Sequence, residues 1–213
     1  MRNSFLIANP KGGSGKSTLA TNLAGWFARQ GHRTMLGDID RQQSSRAWLQ
    51  LRSPSLPHIA CWEIDGDKPA RPPKDTTHVV LDTPAGLHGK KLAQALRAVE
   101  RVIVPLQPSI FDILATRQFL DILLAEKEIR KQHAFVAVVG MRVDARTRAA
   151  AELERFLADV QVPVLTFLRD TQNYVQAAAH GLTIFDLSTS RAAQDWEQWQ
   201  PLIRWTAADA ARD

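Results

Sequence analysis

The densest group of reactive residue types in the 213-residue chain is the run Asn9-Pro10-Lys11-Gly12-Gly13-Ser14-Gly15-Lys16-Ser17-Thr18. Glycines let backbone N–H groups turn inward with no Cβ in the way, so a loop of this kind can wrap phosphate oxygens. Lys16 supplies a point charge for the β and γ phosphates, Ser17 a hydroxyl for Mg²⁺, and Thr18 a donor for the α phosphate. The apolar run Phe5–Ala8 precedes the loop and an amphipathic stretch follows it. That context puts the loop between a strand and a helix, whose N-terminus adds the positive end of its dipole. The simple pattern G-x-x-x-x-G-K-[ST] has glycine where this chain has Pro10. What stands here is K-G-G-x-G-K-[ST]-[ST], with a second lysine, Lys11, at its head.

Two further segments end in carboxylates. Leu36-Gly37-Asp38-Ile39-Asp40-Arg41-Gln42 follows a predicted strand, and its plain reading is a pair of acids at a strand end. His78-Val79-Val80-Leu81-Asp82 is an apolar strand closing on an acid, as a carboxylate holding a Mg²⁺ shell requires. The turn after it, Thr83-Pro84-Ala85-Gly86, suits a segment that switches conformation.

The elements that must position these residues follow from periodicity. Short apolar runs alternate with longer amphipathic ones, which predicts βαβ units feeding a parallel sheet. Strands are expected at Phe5–Ala8, Thr34–Ile39, Ile59–Ile64, His78–Leu81, Val102–Leu106, Phe135–Met141 and Val164–Phe167. Leu19, Leu23 and Phe27 mark one helical core stripe; Ala149, Leu153, Phe156, Leu157 and Val160 mark another. The expected fold is α/β, a mostly parallel twisted sheet with helices on both faces, forming a single domain over residues 1–213. Gly66 to Asp75, with three prolines, reads as an exposed loop.

With 45% apolar and 23% charged residues, the composition excludes disorder and low-complexity polymers. The longest apolar stretch, Ala134 to Val139, is far short of the roughly 20 residues that span a bilayer. The N-terminal residues leave no room for the ~7–15-residue apolar core of a signal peptide, so the reading is cytoplasmic. A lone cysteine, Cys61, excludes a disulfide within the chain and a multi-thiolate metal site within one subunit.

In its lysine-headed loop the chain resembles the deviant Walker A ATPases of the ParA/MinD superfamily, P-loop NTPases. The resemblance continues through residues 36–42, which look like that family's D-x-D-P-Q segment with Arg41 for proline. It extends through 78–86 and Val104-Pro105-Leu106-Gln107-Pro108-Ser109, and on to Phe167-Leu168-Arg169-Asp170 and Ala179 to Asp186. It covers about residues 4 to 195 and is closest to the short ParA-like proteins. It implies ATP and Mg²⁺ as cofactors and an ATP-sandwich homodimer. Lys11 would reach the nucleotide of the partner subunit, Lys16 would bind phosphate, and Asp40 would orient the attacking water. Ser17, Asp38 and Asp82 would serve the metal; residues 11–18 with Leu168 and Arg169 would line the nucleotide. Where the family carries an asparagine that contacts adenine, this chain has Gly140-Met141-Arg142-Val143-Asp144; the preference for ATP over GTP is implied by the family.

The family has two outputs, non-specific DNA binding and membrane binding through an amphipathic C-terminal helix. From Ala192 onward Trp196, Trp199, Leu202, Ile203 and Trp205 give an apolar face, but Arg191 to Asp213 holds three arginines against four acids, and Pro201 interrupts it. Membrane-surface helices carry Lys and Arg on the polar face, so the segment is expected to pack on the sheet, without stable membrane association. DNA fits the charge better. The net charge is +5; Arg29 to Arg52 holds five arginines against two aspartates, and Lys127 to Arg148 holds six basic residues against two acids. Phosphate contacts from such residues give sequence-independent affinity. Arg142, Arg146, Arg148, Arg169 and Arg191 are the candidates for DNA contact. The functional expectation is an ATPase that dimerises on ATP, coats the nucleoid and positions a plasmid, chromosome region or protein cargo. A ParB-like or adaptor protein would stimulate its slow hydrolysis. The alternative is a MinD-like membrane-associated positioning ATPase.

Overall fold

The structure, a computed structural model, describes residues 3–62, 64–65, 68–69, 72–144 and 146–208. Seven strands form one parallel sheet: β1 (Asn3–Ile7), β2 (Thr34–Asp38), β3 (Ile59–Trp62), β6 (His78–Asp82), β7 (Arg101–Leu106), β8 (Phe135–Gly140) and β9 (Val164–Phe167). Their order across the sheet is β3-β2-β6-β1-β7-β8-β9. All seven lie where the apolar runs predicted them, with no end shifted by more than two residues. The loop expected from Gly66 to Asp75 is in part a ladder, because β4 (Ile64–Asp65) and β5 (Lys68–Pro69) pair antiparallel; positions 66, 67, 70 and 71 of that segment lie outside the described residues.

Successive side chains of a strand point to opposite faces, and the core divides accordingly. On one face Leu6, Val79, Leu81, Val102, Val104, Val136 and Val138 meet Leu92 and Leu96 of α3 (Gly89–Leu96), Phe119 and Leu123 of α4 (Ile110–Ala125), and Leu153 and Leu157 of α6 (Arg148–Ala158). In α6 the buried alanine is Ala150, not Ala149 as the stripe suggested. The short α5 (Lys127–Arg130) follows α4. On the other face Phe5, Ile7, Leu36, Val80, Ile103 and Val139 meet Leu19, Leu23 and Phe27 of α1 (Lys16–Arg29), Trp48 of α2 (Ser44–Leu51), and Trp199 and Leu202 of α8 (Thr189–Ala207). With both faces covered, the central strands carry near-continuous apolar runs, and β7 is buried along its whole length.

The C-terminal helix turns its tryptophans inward. Trp199 is fully buried and its Nε1 donates to the Tyr174 hydroxyl at 2.9 Å; Trp196 Nε1 donates to the Ile184 carbonyl at 3.0 Å. Trp205 and Ile203 are half-buried against the same cluster. Truncating a buried tryptophan costs about 3–5 kcal/mol, so this helix is an integral layer of the fold. Asp209, Arg212 and Asp213, counted in its charge balance above, lie outside the described residues. Among the described residues no helix is long and apolar enough to cross a membrane.

Strand β1 lies between β6 and β7, so the chain leaves the sheet's middle toward opposite sides at this point. Open parallel sheets form a crevice beyond the C-terminal strand ends at such a reversal. The loop of residues 9–15 leaves β1 there.

Candidate functional site

The loop is anchored before it turns. Asn9, almost fully buried, accepts from the Lys11 amide on Oδ1 at 2.8 Å and donates through Nδ2 to the Pro105 carbonyl at 2.7 Å and to Thr116 Oγ1 at 3.0 Å. Gln107 Nε2 donates to the Gly13 carbonyl. Both anchors tie the loop to the end of β7 and to α4. Gly13 and Gly15 have φ of 75° and 98°, left-handed values that cost an ordinary L-residue roughly 1–2 kcal/mol. A Cβ at Gly15 would also come within 2.8 Å of the Met141 side chain. Helix α1 then starts at Lys16 with no side-chain cap and no acid in its first turn. Its first amides therefore present unsatisfied donors, with the positive dipole end, toward the loop.

Lys16 is buried to 7% exposure, and its Nζ donates to the Lys11 carbonyl at 2.7 Å and to Ser14 Oγ at 3.4 Å. Burial lowers its pKa, while the charges of Asp82 and Asp40 act in the other direction. The loop, Ser17 and Thr18 line a cavity of about 420 Å³ together with Asp40, Gln42, Ser44, Thr83, Pro84, Ala85 and Arg142. Lys11 is not among its lining residues. A second cavity of about 540 Å³ shares Gly15, Ser17, Thr18, Ser44 and Arg142, and continues between α1, α2 and α7 (Gln172–Ala179) past Trp48, Arg169, Thr171 and Tyr174. The first cavity is walled mainly by polar groups and the second mainly by apolar ones, the pairing a phosphate chain and a nucleoside would need.

Asp38 and Asp82 are register partners at the ends of β2 and β6, yet their surroundings differ. Asp82 is 1% exposed; it accepts from Ser45 Oγ at 2.6 Å and from the Thr83 amide at 3.0 Å. Burial pushes its pKa up to about 6 against those hydrogen bonds. Asp38 accepts from the Asp40 amide at 2.9 Å on one oxygen, and from the Ser45 and Arg46 amides at 2.8 and 3.3 Å on the other. It thereby caps α2 in place of the residue before that helix, Gln43, which makes no side-chain cap. The expectation that Asp38 sits beside the metal meets a carboxylate with both oxygens engaged by backbone donors. Asp40 is half-buried on the cavity wall, with Oδ1 accepting from the Gln42 amide at 3.1 Å.

Gly12, Gly13, Gly15, Lys16, Ser17, Thr18 and Asp40 thus converge on one cavity, and others do not. Leu168 is fully buried and its side chain belongs to the core; only its backbone is near, pairing with Gly140 and Val143. Arg169 does line the second cavity, but its guanidinium is held by the buried Asp195 at 2.7 Å and by Gln194. Of the remaining candidate DNA arginines, Arg146 closes on Asp144 at 2.9 Å, Arg191 bonds Asn173 and Gln176, and Arg148 is exposed at the start of α6. Arg142 faces both cavities. Thr83, expected only as part of a switching turn, donates its hydroxyl to the Ile7 carbonyl at 2.8 Å, and Ser45, which the sequence did not single out, donates to Asp82 at 2.6 Å. Ser45 carries no local signal, since its role arises only when β2 and β6 are paired. Among the described residues no three His, Cys, Asp or Glu side chains gather as a self-sufficient metal site. A Mg²⁺ ion usually binds through one or two carboxylates plus nucleotide phosphates, and the Ser17–Asp82 pair fits that donor set.

The chain is similar to several known proteins. The maintenance of carboxysome distribution protein A of Halothiobacillus neapolitanus is 27% identical over 198 residues, covering 89% of this chain and 90% of that protein. The chromosome-partitioning ATPase Soj of Thermus thermophilus is 29% identical over 184 residues, covering 70% and 72%. The structure of apo McdA from Cyanothece superposes with a TM-score of 0.75 at 13% identity, over 98% of this chain and all of that one. The profile of the CobQ/CobB/MinD/ParA nucleotide binding domain matches residues 5–184, and the chain belongs to that family.

Proposed function

We propose that this chain is a Mg²⁺-dependent ATPase that closes as a homodimer on ATP, binds DNA without sequence preference in that state, and positions a cargo in the nucleoid-bearing cytoplasm. A partner protein, ParB-like or an adaptor, stimulates hydrolysis and releases it. One observation carries the reading: left-handed glycines, an uncapped helix start and Lys16 meet at one polar cavity, with Ser17 and Asp40 on its wall. The relatives named for carboxysome distribution and chromosome partitioning support a positioning role.

In this mechanism Lys16 neutralises phosphate charge, and the Lys11 carbonyl holds its amine in place. Ser17 and Asp82 hold Mg²⁺, which supplies charge for the transferring phosphoryl group. Asp38 positions the start of α2, and through it the Ser45 hydroxyl that fixes Asp82. Asp40 orients the attacking water. The side chain of Lys11, not part of its own cavity wall, serves the partner subunit's nucleotide. The MinD-like alternative would need a free apolar face on α8, and that face is packed on the sheet.

The test is binding to arbitrary duplex DNA with ATP, with ADP and without nucleotide, each over a salt series, beside anionic liposomes. Binding with ATP alone, falling steeply as salt rises, is expected. No DNA binding under any nucleotide would overturn the DNA half of the reading, and liposome binding in its place would favour the membrane reading.

A further inference from the structure

Three cations line the two joined cavities among the described residues: Lys16, Arg169 and Arg142. Two of them are committed within the protein. Lys16 donates to the Lys11 carbonyl, and Arg169 is clamped by Asp195 and Gln194. Arg142 is the one with neither a hydrogen bond nor an ion pair, and it belongs to both cavities. Its neighbour Arg146, by contrast, is closed on Asp144 by two side-chain bonds.

The backbone at Arg142 is also unusual. Its φ is 53°, one of three left-handed non-glycine residues described. Such a conformation is uncommon outside glycine, asparagine and aspartate, and it persists where surrounding structure imposes it. Here the Met141 amide donates to the Leu106 carbonyl at 2.8 Å and the Val143 amide to the Leu168 carbonyl at 3.0 Å. Met141 packs against the Cα of Gly15, the residue that precedes α1. The segment 141–143 is thus pinned on both sides, and Arg142 projects beside the phosphate loop. Arg142 is itself exposed, at the rim that the two cavities share.

We propose that Arg142 binds the phosphate chain of the nucleotide at the junction of the two cavities, on the side toward the nucleoside. It would supply a second cation from the same subunit, beside Lys16. The inference rests on the nucleotide reading above and reassigns Arg142 from the DNA surface. A guanidinium suits the task, because its planar fork can bond two phosphate oxygens at once where an ammonium gives a point charge.

The experiment is titration of Mg²⁺ with ATP, ADP and GTP against the parent and the Arg142→Gly, Arg142→Lys and Arg155→Ala variants. Glycine relaxes the left-handed backbone, so Arg142→Gly removes the guanidinium without threatening the fold; Arg155 is an exposed α6 cation that controls for lost charge. For Arg142→Gly the dissociation constants of all three nucleotides should rise tenfold or more, with part of the loss recovered in Arg142→Lys and none seen in Arg155→Ala. DNA binding at saturating ATP should stay within twofold of the parent. Dissociation constants within twofold of the parent, with weaker DNA binding, would overturn the proposal and return Arg142 to the DNA surface. A loss confined to adenine nucleotides would overturn the phosphate assignment. A parent that binds no nucleotide would overturn the nucleotide reading itself, and this inference with it.

Discussion

Strand β6 has a buried ionisable residue at each end, and the two ends have been built for opposite purposes. At its start His78 is 7% exposed and packs against Phe27 and His32 with ring centroids 4.4 and 4.0 Å away. Burial first, and then the charge of His32, pull its pKa down to about 4. That end of the sheet is sealed: the buried Arg101 lies over the rings of Phe5 and Trp205 and donates to the Ala208 carbonyl. At the other end Asp82 is as deeply buried, but it faces a loop whose amides, lysine and hydroxyls point into a cavity. Burial raises the free energy of the charged form at both ends. The difference is what lies next to it, aromatic packing at one end and a polar cavity lined by Lys16, Ser17 and Thr18 at the other.

The sharpest way to break the comparison is at the open end. Lys16→Ala should weaken ATP binding by about 100-fold or more, the value of a buried charge-assisted contact of roughly 3 kcal/mol; an unchanged titration would mean that phosphate binds elsewhere. Asp40→Ala should leave ATP bound but slow hydrolysis by about 10²-fold or more, as removal of a water-orienting group does, so the ATP-bound dimer persists in size-exclusion runs. Lys11→Ala should bind nucleotide within a few-fold of the parent and fail to dimerise with ATP, since its side chain is absent from its own cavity wall. Normal dimers would end the cross-subunit role.

The smallest effects compare the ends directly. Between pH 4 and 6.5 the unfolded chain binds a proton at residue 78 that the native state excludes, so His78 makes stability fall as pH falls. Asp82 has the opposite sign: between about pH 4 and 6 the native state binds the proton, so this residue makes stability rise as pH falls. His78→Phe should therefore flatten the loss of melting temperature in mild acid, and Asp82→Asn should steepen it. At pH 8 Asp82→Asn should melt above the nucleotide-free parent by several degrees, because an unpaid desolvation cost is gone, while losing Mg²⁺-dependent turnover. A lower melting point would show that the carboxylate is better satisfied than its burial suggests.

Much of this was legible beforehand. Parallel strands covered on both faces are continuous apolar runs, so all seven could be read, and the loop from Lys11 to Thr18 carries its chemistry in consecutive residues. What could not be read depends on pairing across the sheet. Asp38 and Asp82 look alike in sequence, and only register and the start of α2 turn one into a helix cap. Helix α2 itself buries little beyond Ser45 and Trp48, so it gives no stripe. Leu168 matches a motif near the nucleotide while its side chain serves the core. Nor can local sequence show that Met141, the neighbour of Arg142, is pressed against Gly15.

The bare start of α1 has a consequence for how this site could be disabled. Since the nucleotide would supply the missing helix cap, any acid placed at the loop's end becomes an internal competitor for the same donors. Ser14 is buried within reach of Lys16, and a carboxylate there would act at the millimolar or higher effective concentration of a tethered ligand. One mutation in this loop would convert the protein into its own inhibitor, with nucleotide affinity falling as the helix gained stability.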